Sequence, residues 1–445
     1  MSGSTINGVA LNPGTNAEGF YWDGTTWQPI TPLNQTQITH AANETGPYAG
    51  LIPGTPPHSL AYYGSSTAAD GAVSLGGAND FADGRGGAET IYGLGGNDFL
   101  VGGTGFDRLE GGADADTLIG GSVTGFNGSL VTGTSSFTPV NDGLAVDTLI
   151  GGSGNDTFVV TAASDSIVGA DGDGTDTVLL AGPTNYTLQG AAFVENIGLF
   201  NPASTTGVSI FADGSGAQSM SGGAGNDTLN AGDGDDSIAG AGGNDVLIGG
   251  AGSDQLAGGA GVNTASYATN TAAQGINVTN TGGSDGLGGT DSFTDIQRVV
   301  GGAGADTIDL TGSQVVAEGG AGDDLIIVGE TAGGGTGIVA DGGSGTNTLA
   351  FNFTTSGNLT VTDIGGGQFS LSGPGGFTAT ASNFGSIRLA DLTTTGFGTG
   401  TFFVCFAGGT RILTAQGEVE VERLQAGDLV ATLSGRGAPM KPVLW

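Results

Sequence analysis

Acidic residues recur at every ninth position in two long stretches of this 445-residue chain. Divided into nonads from Leu75, the first stretch reads LGGANDFAD, GRGGAETIY, GLGGNDFLV, GGTGFDRLE and GGADADTLI. Its sixth positions are Asp80, Glu89, Asp98, Asp107 and Asp116. The second stretch, from Gly222, reads GGAGNDTLN, AGDGDDSIA, GAGGNDVLI, GGAGSDQLA and GGAGVNTAS, with Asp227, Asp236, Asp245, Asp254 and Asn263 in the same slot. Isolated copies place Asp147, Asp156, Asp306, Asp324 and Asn347 there too. A carboxylate repeated in register is a ligand for a hard cation. Ca²⁺ takes 6–8 oxygen ligands and accepts backbone carbonyls readily, whereas Mg²⁺ demands a tight octahedron. Zinc would need Cys or His ligands nearby, and the nonads contain none.

The elements that position these acids follow from the rest of the nonad. Glycines over the first six positions let the backbone curl. The last three positions form a short strand with the apolar residue at position eight facing inward: Ala82, Ile91, Leu100, Leu109 and Leu118 in the first stretch. One nonad turns the chain halfway round, so two complete a coil. Acids 18 residues apart then stack: Asp80, Asp98 and Asp116; Glu89 and Asp107; Asp227 and Asp245; Asp236 and Asp254. Stacked carboxylates repel unless a cation lies between them, so the pattern predicts an all-β parallel β-roll, or solenoid, that binds Ca²⁺. Glu89 and Asn263 depart from the consensus, and their sites are expected to be weak or empty.

These nonads resemble the RTX (repeats-in-toxin) family, whose GGxGxDxUx repeat is a calcium-binding parallel β-roll. The resemblance implies Ca²⁺ held at Asp80, Asp98, Asp107, Asp116, Asp147, Asp156, Asp227, Asp236, Asp245, Asp254, Asp306 and Asp324. It also implies export by a type I route, with the chain threadable at low Ca²⁺ and folded outside the cell. An adhesin or matrix role is expected, with cell-surface or matrix components as partners.

Composition agrees with an extracellular, non-enzymatic binder. There are 8 basic against 43 acidic residues, a net charge of −35. That argues against nucleic acid, whose phosphates need clustered Lys and Arg, and against anionic lipid. The 93 glycines exceed the usual share of ~7% about threefold, without the Gly-X-Y period of collagen. No window is apolar enough for a transmembrane segment. The N-terminus has neither the basic region nor the apolar core of a signal peptide. One cysteine excludes an intramolecular disulfide framework. Gly282–Gly286 matches G-x-S-x-G, a chance match in this composition with no histidine near it. There is no H-E-x-x-H, and no P-loop surrounds Lys441.

Residues 1–65 read as a small N-terminal β segment with a linker. There Asp23-Gly24 suggests a two-residue hairpin between aromatic flanks, a small apolar lid. Residues 66–180 form the first repeat array, 181–212 β rungs without calcium, 213–266 the second array and 267–404 a degenerate solenoid. Phe193–Phe200 and Asp295–Val300 look like rungs between arrays, and Asp171–Leu180 like a degenerate coil. At residues 405–445 the composition changes: four basic and four acidic residues cancel. This block, opening Cys405-Phe-Ala-Gly-Gly-Thr-Arg-Ile and continuing Val421-Glu-Arg-Leu-Gln-Ala-Gly-Asp-Leu-Val430, resembles the start of a Hint (hedgehog/intein) domain. The resemblance implies a Cys405 nucleophile that converts the Val404–Cys405 amide to a thioester. Family members protonate the leaving amide with a later histidine, yet the only histidines here are His40 and His58. A partial, inert Hint domain is therefore expected. A self-processing precursor cleaved at Val404–Cys405 is the alternative should the remainder of the domain exist.

Overall fold

The computed structural model describes most of residues 72–389, with breaks at 128–135, 169–173, 189–193, 311–315, 330–336 and 353–359, and a few short strands outside that range. Among the described residues there is no α-helix. The chain forms two compact units, residues 1–245 and 246–445.

In the first unit, short parallel strands alternate between two sheets. One carries Phe81–Asp83, Phe99–Val101, Thr117–Ile119, Thr157–Val160 and Thr177–Leu180. The other carries Ala72–Ser74, Thr90–Gly95, Arg108–Ala113 and Thr148–Ser153. Identical nonad positions pair across coils: Leu100 with Ala82 and Leu118, and Leu109 with Ile91 and Leu149. All of these are buried. Position eight is thus the core position, as the apolar period demands: a one-residue slip would turn this column to the solvent face. The turns work by alternation. Positions two and four take positive φ, for example Gly103 (107°) and Gly105 (134°), while non-glycine residues accept the same strain at Arg85, Leu94 and Asp114.

The copies at Asp147 and Asp156 are not isolated. The strand Arg108–Ala113 pairs with Thr148–Ser153, and Thr117–Ile119 with Thr157–Val160. The intervening chain loops out as an antiparallel hairpin, Ser122–Asn127 with Ser136–Val140. Phe137 of that hairpin meets Phe99 edge-on with ring centroids at 5.4 Å, and lies 5.2 Å from Phe200.

The second unit repeats the plan. Thr307–Leu310, Leu325–Gly329, Thr348–Asn352 and Ser386–Leu389 form one parallel ladder, and Thr264–Ser266, Arg298–Val300, Val316–Glu318, Ile338–Asp341 and Thr378–Ser382 the other. Two excursions interrupt it. Asn277–Thr279, Gly282–Ser284 and Thr290–Thr294 run antiparallel, and Thr360–Gly365 with Gln368–Ser372 extends a sheet edge.

The aromatic hairpin near the N-terminus pairs Trp22 with Trp27, so four residues separate its strands instead of the two expected from Asp23-Gly24. Residues 411–442 contribute antiparallel strands, Arg411–Thr414 against Gly417–Glu420, and Leu429–Val430 against Lys441–Pro442.

Candidate metal centre

Asp98 shows how one coil is built. Its Oδ1 accepts the Asp80 backbone N–H at 2.8 Å, one coil earlier. Its own N–H donates to Asp116 Oδ1, also at 2.8 Å. The other oxygen, Oδ2, points to the glycine that opens the nonad. A Cβ on Gly93 would stand 2.1 Å from Asp98 Oδ2 and 2.5 Å from the Gly111 carbonyl oxygen. The position-one glycine is therefore needed for room, because its φ is not in the left-handed region. Two acceptors, a carboxylate oxygen and a carbonyl of the next coil, converge where no donor stands between them.

The arrangement repeats. Near Gly319 it is Asp324 Oδ2 with the Gly342 carbonyl; near Gly222 and Gly301, Asp227 Oδ2 and Asp306 Oδ2 face the Gly240 and Gly319 carbonyls but also accept the Gly223 and Gly302 amides, at 2.7 and 2.9 Å. Position-six acids hand on the Oδ1 bond in both units: Glu89 to Asp107, Asp107 to Asp147, Asp116 to Asp156, Asp227 to Asp245 and Asp306 to Asp324. Gln218 donates likewise to Asp236 and Asp254 to Asp291. All of the predicted metal-ligating aspartates are buried, at most 3% exposed. Oδ2 of Asp98, Asp116, Asp156 and Asp324 has no hydrogen-bond partner. Such an orphan is costly unless a cation or proton fills it.

Burial is the main cause of the carboxylates' unusual acidity. It pushes Asp98 up to about 9 and Asp116 to about 8, against the opposing amide hydrogen bonds from Asp80 and Asp98. Charges on neighbouring coils add to the rise. Asp245 and Asp306 rise to about 6 for the same first reason.

This donor set fits Ca²⁺: oxygen only, mixed carboxylate and carbonyl, with anionic charge on each coil. The residues that would hold the ion are the position-six aspartates, through Oδ2, with the carbonyls of the glycine turns. Among the described residues, no three His, Cys, Asp or Glu side chains converge on one point, so the turn carbonyls are an essential part of any such sphere. The ion would supply the positive charge that bridges neighbouring coils.

Comparison with known families agrees. Residues 73–100, 92–124, 143–176, 213–247, 231–265, 295–314 and 300–331 match the RTX calcium-binding nonapeptide repeat. These stretches carry the RTX calcium-binding nonapeptide repeat. Residues 404–445 match the Hint domain, beginning one residue before Cys405. No curated protein matches this sequence. Cys405 itself lies outside the described residues.

Several members of the RTX slot escape a reading of nonads alone. Asp176 takes the Asp156 N–H at 2.8 Å and passes its own to Glu195. Asp165 follows Asp147 by the same 18-residue offset that spaces the arrays, so spacing could have found it. Its Oδ2 already accepts the amides of Thr161 and Ala162. Asp291 is hidden behind an excursion, 37 residues from Asp254, and also accepts the Tyr267 hydroxyl at 2.6 Å. Asp285, fully buried, spends Oδ1 on the amides of Leu287, Gly288 and Gly289. Position five builds a second, exposed ladder: Asn79 Oδ1 accepts the Asn97 N–H at 2.9 Å, and Asn226 Oδ1 that of Asn244 at 2.8 Å.

Proposed function

We propose that this RTX chain is exported unfolded by a type I route and closes its coils on extracellular Ca²⁺. It then serves as a structural or adhesin-like component facing cell-surface or matrix partners, without enzymatic activity of its own. One observation carries this reading: at Asp98 and at Asp324 a buried carboxylate oxygen without a hydrogen-bond partner stands against a carbonyl of the neighbouring coil. Metal binding and folding are then a single event. Inside the cell, where free Ca²⁺ is scarce, the acid slots hold the coils open. Circular dichroism tests the coupling: β structure is expected to be lost in EGTA and to return with millimolar Ca²⁺. Equal β content in both would refute it.

The Hint match at residues 404–445 favours a second reading, a self-processing precursor. The Cys405 thiolate would attack the Val404 carbonyl carbon and displace the Cys405 nitrogen, which takes a proton from water; a second water would then hydrolyse the thioester, regenerating the thiol and releasing a chain that ends at Val404. Intact-mass measurement of the expressed chain and its Cys405→Ala variant separates the readings. One uncleaved species is expected in both, because no histidine follows Cys405. A fragment ending at Val404 in the wild type alone would establish self-processing.

A further inference from the structure

Two coils in the second unit carry asparagine in the slot that Asp254, Asp291, Asp306 and Asp324 fill elsewhere in it. Asn347 Oδ1 accepts the Asp324 N–H at 2.9 Å, the bond that Asp324 Oδ1 makes with Asp306. Its Nδ2 takes the place of the carboxylate's second oxygen. A Cβ on Gly342 would stand 2.8 Å from that nitrogen and 2.6 Å from the Asn383 carbonyl oxygen. Here the two groups are not both acceptors: Nδ2 donates to the Asn383 carbonyl at 3.1 Å and to the Gly343 carbonyl at 3.3 Å. Asn263 does the same, donating to the carbonyls of Gly259 and Asp295, both at 3.2 Å. Each amide joins a carbonyl of its own turn to one of the following coil. Reversing the amide would set an oxygen against two carbonyls, so the hydrogen-bond pattern fixes its direction.

We infer that Asn263 and Asn347 are cation surrogates, whose side-chain amides bridge the turn carbonyls that Ca²⁺ bridges in the aspartate coils. These two coils close without metal. The position-six residue thereby decides, coil by coil, whether closure depends on calcium: a carboxylate leaves an acceptor-only gap, and a carboxamide fills it with two N–H donors. Asn347 follows Asp306 and Asp324 in register. The second unit thus has a metal-independent clasp next to a metal-dependent pair of coils. This inference rests on the calcium reading above.

Counting bound ions tests it. The full chain and the variants Asn347→Asp, Asn263→Asp and the double variant would be equilibrated with radioactive calcium by dialysis, with circular dichroism confirming the saturated fold. The expected result is one additional ion for each single variant and two for the double. An unchanged count in both folded single variants overturns the inference. So does failure of both to fold in saturating calcium, because an aspartate coil closed by calcium is the neighbours' own construction. A wild-type chain that takes up no calcium at all would instead refute the calcium reading itself.

Discussion

Acidifying a calcium-free solution of the chain from about pH 8 to about pH 5 should restore part of the β structure that chelation removes. Asp98 and Asp116 titrate at about 9 and about 8 in the folded coil, against 3.8 for an ordinary aspartate, chiefly because they are buried. Between those values the folded state holds protons that the unfolded chain has released. This stabilising contribution is complete below the unfolded pKa and is lost as pH rises through the folded one. Each pH unit inside the window is worth about 1.4 kcal/mol per group. Calcium reverses the sign by binding the deprotonated form. From the protonated coils at about pH 5, calcium uptake should therefore release protons, whereas at neutral pH it acts on an unfolded chain whose carboxylates are already ionised and should release few. A pH titration in EGTA followed by circular dichroism checks the first claim. Calorimetry in two buffers of different ionisation enthalpy checks the second. β content that falls or stays level on acidification, or calcium uptake at about pH 5 without proton release, would contradict the account.

The same slot shows how far local sequence reaches. Positions six and eight are legible because they obey one period, and that period sets both burial and register: Leu100 pairs with Leu118 because each is the eighth residue of its nonad. The insertion between Asp107 and Asp147 breaks the period, changing the offset to 40 residues, and only strand pairing shows that the ladder runs through it. Asp291 was hidden for the same reason. What each carboxylate oxygen does is also a property of the neighbouring coil. Oδ1 meets an amide from the coil before, so the acids are not a bare column of charges but alternate with N–H groups. Asp165 illustrates the limit: it stands in the slot, yet local amides already occupy its second oxygen. The position-five asparagines are likewise contacts between coils, and no motif within one nonad announces them.

Two alanine substitutions in one strand should have opposite outcomes. Gly93 and Gly95 both lie in Thr90–Gly95, at positions one and three of the same nonad. At Gly93 a Cβ would lie 2.1 Å from Asp98 Oδ2 and 2.5 Å from a carbonyl oxygen, and backbone cannot yield as a flexible side-chain tip can. At Gly95 the nearest atoms are 4.0 Å away. Gly93→Ala is thus expected to displace the Asp98 carboxylate, abolish calcium binding in that coil and destabilise the saturated protein by roughly 1–3 kcal/mol or more, the usual cost of overpacking. Gly95→Ala is expected to leave the ion count unchanged and alter stability by less than about 1 kcal/mol, since reduced freedom of the unfolded chain offsets its small demands. Thermal denaturation in saturating calcium, with ion counting by dialysis, measures both. The contrast separates two roles for glycine in this repeat. If the first role were conformational freedom, the variants would suffer alike; if it is room for a carboxylate and the ion beside it, only Gly93→Ala loses the site.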